Sequence, residues 1–399
     1  MRYNAIMISV EQALEIVSLN TSVIKYTKTI LLSDGYGKVL SKDITSQINM
    51  PPFRQSAMDG YAVNLHDELN YEIIDEVKAG DSHQPILKQG EATRIFTGAP
   101  VPDTANAIII QEHTTVVGKQ LTVNRPVAHN ANVRPLGEQT KKGDIALKAG
   151  TKLNAAGVAF LTSLGLTEVD VYKSPSIGLV VTGNELAKVG EPLEYGQIYE
   201  SNAIMLVSAL NSLGYSNIEI RTVEDNYEST FSLLKEMLEK HDMLLVSGGI
   251  SVGDYDFVGK ALLELGVEQL FYKVKQKPGK PLFFGKKEDS YVFALPGNPA
   301  SALSCFYVYV NLALQRLSGN LEFKLEKVTA ASTSSFEKKG DRAQFLKAIY
   351  NNDKVQILEG QNSSMIHTFA LANALVYISE SISEIKIDDA VDVILLPIN

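Results

Sequence analysis

The amino-acid sequence predicts a multidomain α/β protein, with a central doubly wound α/β domain, a mostly-β region before it and a small β-barrel after it. The chain has 399 residues, whereas a single hydrophobic core rarely grows past roughly 250–300 residues. From residue 177 onward, apolar runs alternate with amphipathic segments, which is typical of a doubly wound parallel sheet. Short strand-like runs broken by glycine, proline and asparagine fill the flanking segments.

The N-terminal region is predicted to span residues 1–176. It begins with a helix over residues 9–19, where Ser9 and Gln12 have the spacing of a capping box. After this helix, an inserted mostly-β subdomain is predicted at about residues 45–145, because the runs there alternate and turn at glycine-containing pairs.

The central domain is predicted to span residues 177–320. The run at 177–181 is continuously apolar, as in a strand buried on both faces, and residues 227–241 carry the single apolar face of a covering helix. Ligands of such sheets bind at the carboxyl ends of the strands. The last region, 321–399, returns to short strands, which fit a small β-barrel or a sandwich, and the barrel is the prediction.

Three glycine-containing loops follow apolar runs of the central domain, at residues 181–186, 247–256 and 295–301. A strand, a glycine loop and a helix in succession present backbone N–H groups to an anion. Carboxylates lie in these loops, and lysines lie between the second and the third. The sequence therefore predicts an anionic ligand that is held with the help of a metal ion.

The second loop differs from both common nucleotide motifs. Gly248 and Gly253 have the spacing of a phosphate-binding P-loop, but Asp254 and Tyr255 stand where that loop needs lysine and serine or threonine. An aspartate would repel a phosphate unless a metal ion lay between them. Asp256 strengthens this metal hypothesis, although by itself it also fits the N-cap of the following helix.

A row of lysines lies between the second and third loops. In a strand, Lys273, Lys275 and Lys277 point to one face, and the turn at 278–281 places Lys280 just beyond them. Lysines of an edge strand also serve to block aggregation, and the trio alone does not decide between the two roles. With the turn included, the row predicts a positive site for a small oxyanion in an otherwise acidic chain.

Two further acidic residues, Glu185 and Asp225, lie at predicted strand ends. With Asp254 and Asp256 they form a carboxylate set of the kind that binds magnesium, and the alternative is a solvated loop acid or a helix cap. No Ser/His/Asp or Cys/His combination suggests covalent catalysis.

Composition narrows the classes of function. The formal net charge of −9 argues against nucleic acid or a membrane surface as a partner. The single cysteine, Cys305, excludes an internal disulfide framework and is predicted to be buried, and the six histidines lack metal-ligand spacing. No apolar run reaches the roughly 18 residues of a membrane span and no signal peptide is recognised, so a cytoplasmic protein is predicted.

Six motifs spread along the chain resemble those of one enzyme family. In order they are SAMDGYA at 56–62, TGAP at 97–100, TGNEL at 182–186, SGGISVGDYD at 247–256, KPGKP at 277–281 and LPGNPAS at 295–301. They resemble the molybdopterin molybdenumtransferase family, called MoeA in bacteria and represented by the E domain of gephyrin in animals. The resemblance covers essentially the whole chain.

The resemblance implies an activity and a set of partners. Molybdate is inserted into adenylylated molybdopterin, AMP is released and Mg²⁺ assists, so the substrates are small molecules. The implied central domain is of the MogA type. A homodimer is also implied, in which the partner's N-terminal region completes the active site, together with an interaction with the upstream adenylyltransferase.

The resemblance also implies roles for individual residues. Catalytic roles fall to Asp59, Asp225, Asp256, Lys277 and Lys280. The implied metal ligands are Glu185, Asp225, Asp254 and Asp256. Substrate contacts are implied for residues in or near the motifs and in the C-terminal region, namely Thr97, Thr182, Gly183, Gly248, Gly249, Ser251, Lys273, Pro281, Pro296, Asn298, Pro299, Ser301, Arg342 and Ser363.

Some choices stay open at this point. Asn184 stands where the family usually carries aspartate, which weakens a metal-binding role there, and Ser364 competes with Ser363 for one serine position. The central domain alone also occurs in adenylyltransferases of the MogA type, and a gephyrin-like binding scaffold is a third reading. Molybdate and tungstate have the same charge and shape, so the preferred oxyanion is also open.

Overall fold

The structure is a computed structural model that describes residues 6–224, 226–250 and 257–398. The chain divides into two units, each with its own core. The first comprises Met1–Thr29, Gly37–Ser41 and Asp170–Asn399, and the second comprises Ile30–Tyr36 and Lys42–Val169. The finer division into three regions at residues 176 and 320 stays a prediction.

The helices and strands are numbered in chain order within the described residues. The helices are α1 (Val10–Asn20), α2 (Ala155–Ser163), α3 (Asn202–Ser212), α4 (Tyr227–Lys240), α5 (Phe257–Glu264), α6 (Pro299–Cys305) and α7 (Asn311–Leu317), with a π-helical turn at Phe306–Val310. The strands up to residue 172 are β1 (Met7–Ile8), β2 (Thr27–Leu31), β3 (Ile44–Thr45), β4 (Gln55–Ser56), β5 (Gly60–Val63), β6 (Asn70–Val77), β7 (Glu91–Ile95), β8 (Ala107–Ile110), β9 (Thr114–Val117), β10 (Gln120–Val123), β11 (Val133–Arg134), β12 (Ile145–Leu147) and β13 (Glu168–Tyr172). The strands from 177 to 295 are β14 (Ile177–Thr182), β15 (Leu186–Ala187), β16 (Ile198–Tyr199), β17 (Ile218–Val223), β18 (Met243–Ser247), β19 (Glu268–Val274), β20 (Gln276–Lys277), β21 (Pro281–Lys287) and β22 (Ser290–Leu295). The remaining strands are β23 (Lys327–Ser332), β24 (Phe336–Glu337), β25 (Ala343–Asn351), β26 (Lys354–Ile357), β27 (Ala374–Ile378), β28 (Glu384–Ile385) and β29 (Ala390–Leu395).

The first helix confirms the predicted capping box. The Ser9 hydroxyl accepts a hydrogen bond from the Gln12 N–H at 3.1 Å, and the Gln12 side chain accepts one from the Ser9 N–H at 2.9 Å. Val10, Ala13 and Val17 then fall on one buried face, as the helical spacing predicts.

The main sheet of the first unit confirms the doubly wound prediction. Its seven strands run in the order β1-β19-β21-β22-β18-β14-β17. The parallel strands β17, β14, β18 and β22 are neighbours, and the chain passes from β14 to β17 on one side before it crosses to β18 on the other. Side chains of α3, α6 and α7 pack in one core and those of α4 and α5 in another, so helices cover both faces.

The sheet is mixed rather than wholly parallel as predicted. Strand β21 is antiparallel to β22 and to β19. The reason is the length of the β21–β22 connection, which is the two residues Glu288 and Asp289. A connection of two residues can join only antiparallel strands, because a parallel pair requires a crossover.

The C-terminal strands confirm the predicted barrel. Strands β25, β26, β23, β29 and β27 pair in that order, and β27 pairs again with β25, so the five strands close a ring. Its interior holds apolar side chains that include Leu346, Val355, Val376 and Val393. Strand β20, which follows the main sheet along the chain, adds to β25 at the outside of this ring.

The second unit is mostly β, as predicted for the N-terminal region. Its main sheet has six strands in the order β8-β5-β7-β6-β10-β9. Two small apolar clusters pack against it, one around Ile95 and Ile108 and the other around Tyr71 and Leu121. Over the described part of both units, no helix is long and apolar enough to cross a membrane.

Candidate functional site

A pocket of about 560 Å³ lies at the carboxyl ends of β14, β18 and β22 in the first unit. These are the strands from which the three glycine loops begin, and β14 and β18 border the position where the strand order reverses. All three loops contribute to its lining. The predicted residues found there are Thr182, Gly183, Glu185, Gly248, Gly249, Pro281, Pro296, Asn298 and Pro299.

The two adjacent glycines of the second loop allow the loops to pack closely. Gly248 and Gly249 have positive φ angles of +94° and +66°. A Cβ on Gly248 would lie 2.6 Å from the Thr182 carbonyl oxygen, and one on Gly249 would lie 2.5 Å from a methyl carbon of Val258. Both the backbone conformation and the available space therefore require glycine.

Asn202, at the start of α3, was not predicted and forms part of the pocket wall. Its side-chain amide donates to Ser247 Oγ and to the Gly297 carbonyl oxygen, both at 2.8 Å, and so connects the second and third loops. A carbonyl oxygen only accepts, so this bond also fixes which end of the amide is nitrogen. Among the described residues, Asn202 Oδ1 and Thr182 Oγ1 are buried without a hydrogen-bond partner. An asparagine in an amphipathic helix gave no sequence signal.

The predicted lysines lie on a turn beside this pocket. Lys273 is paired with Pro281 across β19 and β21, and the Val274 N–H donates to the Lys280 carbonyl oxygen at 3.0 Å. Lys277 and Lys280 are exposed, and no carboxylate of the described residues pairs with either. As far as the described residues go, two positive charges without carboxylate partners therefore lie next to a pocket wall that includes Pro281.

Lys275 does not join this group, so the prediction of one continuous lysine row is wrong. Strand β19 ends at Val274, and Lys275 Nζ turns to the carboxylates of Glu380 at 2.8 Å and Asp341 at 3.1 Å. These hydrogen-bonded carboxylates raise the pKa of Lys275. Strand β19 lies between β1 and β21, so the edge-strand reading does not apply to Lys273.

The turn at residues 278–281, with Lys277 before it, is called the lysine turn, and it packs on buried side chains. Gln276 is 1% exposed, and its amide donates to the Gly279 carbonyl oxygen at 2.9 Å and accepts from the Tyr309 hydroxyl at 2.5 Å. Cys305 lies against the same turn and is buried, as predicted. Burial raises the pKa of its thiol to about 12, so it is a packing residue rather than a nucleophile.

A loop between two strands of the C-terminal barrel also borders the pocket. Ser363 binds the third loop, since its carbonyl oxygen accepts from the Ala300 N–H at 3.1 Å and its hydroxyl accepts from the Asn298 amide at 3.0 Å. Ser364 lines the pocket itself. Ser301 is buried in α6, and Arg342 donates to the Gln276 carbonyl oxygen at 3.2 Å beside the lysine turn.

Asp59 and Thr97 lie in the second unit and contact each other. Asp59 Oδ1 accepts from the Thr97 N–H at 2.7 Å and from its hydroxyl at 2.9 Å. These two bonds, with the nearby Arg94 guanidinium, lower the pKa of Asp59. The Arg94 guanidinium carbon itself lies over the rings of Tyr61 and Phe96, at 5.0 and 4.9 Å from their centres.

Thr97→Ala is expected to raise the pKa of Asp59 while leaving it below the usual range of an aspartate, because the hydroxyl bond is lost and the N–H bond is kept. A lowered pKa in the folded state contributes stability above the unfolded-state pKa, and that contribution is lost as the pH falls through the folded-state value. The variant should therefore lose less stability on acidification. Carboxyl ¹³C NMR titration measures the shift, with Asp75 as the unaffected control; an unmoved Asp59 would refute this.

Comparison with known proteins supports the family resemblance that the six motifs indicate for the whole chain. Three family models match in succession: the MoeA N-terminal region (domain I and II) at residues 8–165, a probable molybdopterin binding domain at 178–316 and the MoeA C-terminal region (domain IV) at 329–396. The molybdopterin molybdenumtransferase of Haemophilus influenzae is 33% identical over 377 residues, which cover 92% of this chain and 93% of that protein. The chain belongs to the MoeA family of molybdopterin molybdenumtransferases.

Similarity to other MoeA-family proteins, over most of the chain, supports this family membership. The molybdopterin molybdenumtransferase of Staphylococcus aureus is 31% identical over 379 residues, covering 92% of this chain and 90% of that protein. The crystal structure of the molybdopterin biosynthesis MoeA protein of Pyrococcus horikoshii is 28% identical, covers 98% of this chain and 100% of that chain, and has a TM-score of 0.84. The family resemblance seen in the motifs is thus confirmed.

The predicted MoeA-type site residues include four that the structure does not describe. Asp225, Ser251, Asp254 and Asp256 lie outside the described residues. Glu185 is described, and it is an exposed residue of the pocket rim. Over residues 6–224, 226–250 and 257–398, no three histidine, cysteine or acidic side chains come together as a metal site.

Proposed function

We propose that this MoeA-family chain inserts molybdate into adenylylated molybdopterin and releases AMP, with Mg²⁺ assisting. The observation that carries the proposal is the pocket formed by three glycine loops, inside the segment that matches a molybdopterin binding domain, with lysines at its border that pair with no carboxylate of the described residues. Its volume of about 560 Å³ falls in the range of small-molecule sites.

The chain's own groups suit this reaction. Lys277 and Lys280 supply positive charge for the molybdate dianion, with Lys273, Arg342, Ser301 and Ser363 nearby as proposed substrate contacts. The positive-φ glycines let backbone approach a phosphate. Catalysis in such a site consists mainly of positioning and electrostatic stabilisation of the charge that develops as AMP leaves.

The residues present also fit a magnesium ion. Magnesium keeps several waters and is held by one or two carboxylates together with substrate phosphates, so it does not require a preformed cage. Glu185 on the pocket rim is a carboxylate in the right place, and Asp225, Asp254 and Asp256 remain predicted ligands. When bound, the ion would neutralise phosphate charge during the departure of AMP.

The assembly is a separate part of the proposal. We expect a homodimer of twice the 43.6 kDa chain mass, in which the partner's Asp59 and Thr97 complete the site, and an interaction with the upstream adenylyltransferase. Light scattering at micromolar concentration should give the doubled mass. A monomer that remains fully active at that concentration would exclude a shared site.

The activity is tested with purified protein, adenylylated molybdopterin and Mg²⁺. AMP release that depends on added molybdate supports the proposal, and parallel titration with tungstate decides between the oxyanions. Consumption of ATP with free molybdopterin would instead identify an adenylyltransferase. The matches to both the N-terminal and the C-terminal MoeA models favour the first outcome, because the central domain alone serves for the second.

A further inference from the structure

We propose that Lys347 is a positioning residue, whose buried ammonium group holds the barrel loop (residues 358–368) so that Ser363 and Ser364 stand at the pocket. This inference rests on the proposed function for its kinetic part only. Lys347 lies in β25, in the wall of the barrel, and is 3% exposed.

Among the described residues, the hydrogen-bond acceptors of the Lys347 ammonium group all lie in the barrel loop, and the Phe369 ring lies 6.0 Å away just beyond it. The ammonium group donates to the carbonyl oxygens of Gly360 at 2.7 Å, Met365 at 2.9 Å and Asn362 at 3.4 Å. No carboxylate of the described residues pairs with it, and burial lowers its pKa. A buried charge is costly unless its hydrogen bonds are satisfied, so this charge strongly favours the loop conformation in which three carbonyl groups converge.

Further bonds join the same loop to the backbone of Lys347. The Gln361 side chain accepts from the Lys347 N–H at 3.0 Å and donates to the Lys347 carbonyl oxygen at 2.9 Å. The Leu358 N–H donates to that carbonyl oxygen as well, at 3.0 Å. The loop is thus bound on both sides of one β25 residue, and its central serines are left to face the third glycine loop.

The loop transmits this position to the pocket through Ser363 and Ser364. The two Ser363 bonds reach Asn298 and Ala300 at the start of α6, and Ser364 is part of the pocket lining. Loss of the ammonium group should let the loop shift, and a displacement of about 1 Å in a reactive site can lower the rate by about 10²-fold.

Lys338, which directly follows β24, provides a matched control in the same C-terminal region. It is 8% exposed, and within the described part of the chain its ammonium group also donates only to carbonyl oxygens, those of Ser379 and Glu380, both at 2.8 Å. Neither acceptor lines the pocket. Lys347→Met and Lys338→Met therefore remove equivalent buried charges, one that holds the barrel loop and one that does not.

Hydrogen exchange followed by mass spectrometry gives a readout that needs no substrate. Lys347→Met should accelerate amide exchange at least tenfold in peptides that cover residues 298–305 and 358–368, whereas Lys338→Met should leave both peptides unchanged. Equal exchange in the two variants would overturn the inference. This part holds even if the enzyme fails to release AMP, an outcome that counts against the proposed function alone.

A double-mutant cycle with Ser364→Ala tests the kinetic part. Lys347→Met should lower kcat/KM for AMP release about tenfold, and its effect should shrink below twofold in the Ser364→Ala background, because the inference has Lys347 act through the position of the Ser364 side chain. Any effect of Lys338→Met should be the same in either background. A silent Ser364→Ala, or a Lys347→Met effect that persists undiminished beside it, would overturn the inference.

Discussion

Lys277→Ala and Lys280→Ala are each expected to lower kcat/KM for molybdate-dependent AMP release by about 10²-fold. Removing one charged or hydrogen-bonding group that stabilises a developing anion typically costs about 10²–10³-fold. Both ammonium groups are exposed and free of carboxylate partners among the described residues, so their charge is available to a ligand. Steady-state kinetics with molybdate as the varied substrate measures the effect.

Lys287→Ala is the matched control for these two variants. Lys287 is the last residue of β21, whereas Lys280 directly precedes the first, so the control removes the same charge at the other end of one strand. Lys277→Ala and Lys280→Ala should change the free energy of unfolding by less than about 0.5 kcal/mol, as is usual for exposed side chains. Variants that keep kcat/KM within twofold of the parent would remove the lysines from the oxyanion site.

The sequence was sufficient for the placement of the glycine loops. Apolar runs such as 177–181 identify buried parallel strands, and the ends of such strands converge at one edge of the sheet. The capping box at Ser9 and Gln12 and the burial of Cys305 were predictable for a similar reason. Each depends on local spacing or on the chemistry of one residue type.

Features that depend on distant partners could not be predicted. Lys275 looks like Lys277 in the sequence, and only the approach of Glu380 from the barrel separates their roles. Asn202 acquires its role from Ser247 and Gly297, which lie 45 and 95 positions away. In the sequence, Lys347 is one more lysine of a predicted strand, and only the fold shows that its ammonium group binds the barrel loop. Spacing along the chain contains no information on such pairs.

Gly279→Ala is expected to destabilise the first unit by about 2–5 kcal/mol, because two costs add. Gly279 has a φ of +81°, where a side chain costs about 1–2 kcal/mol. A Cβ there would also lie 2.5 Å from Cys305 Sγ and 3.1 Å from Gln276 Nε2, and overpacking of a buried site costs about 1–3 kcal/mol. Urea denaturation at 25 °C measures the loss.

Gly266→Ala separates the cost of backbone strain from the cost of overpacking. Gly266 has nearly the same φ, +80°, but nothing lies within 4 Å of the position of its Cβ, so only the backbone strain of about 1–2 kcal/mol is expected. The collision at Gly279 also displaces the turn that carries Lys277 and Lys280. Gly279→Ala should therefore lower kcat/KM under conditions in which the protein is still folded, whereas Gly266→Ala should not. Equal stability and equal activity of the two variants would show that the buried contact between the turn and Cys305 does not position the lysines.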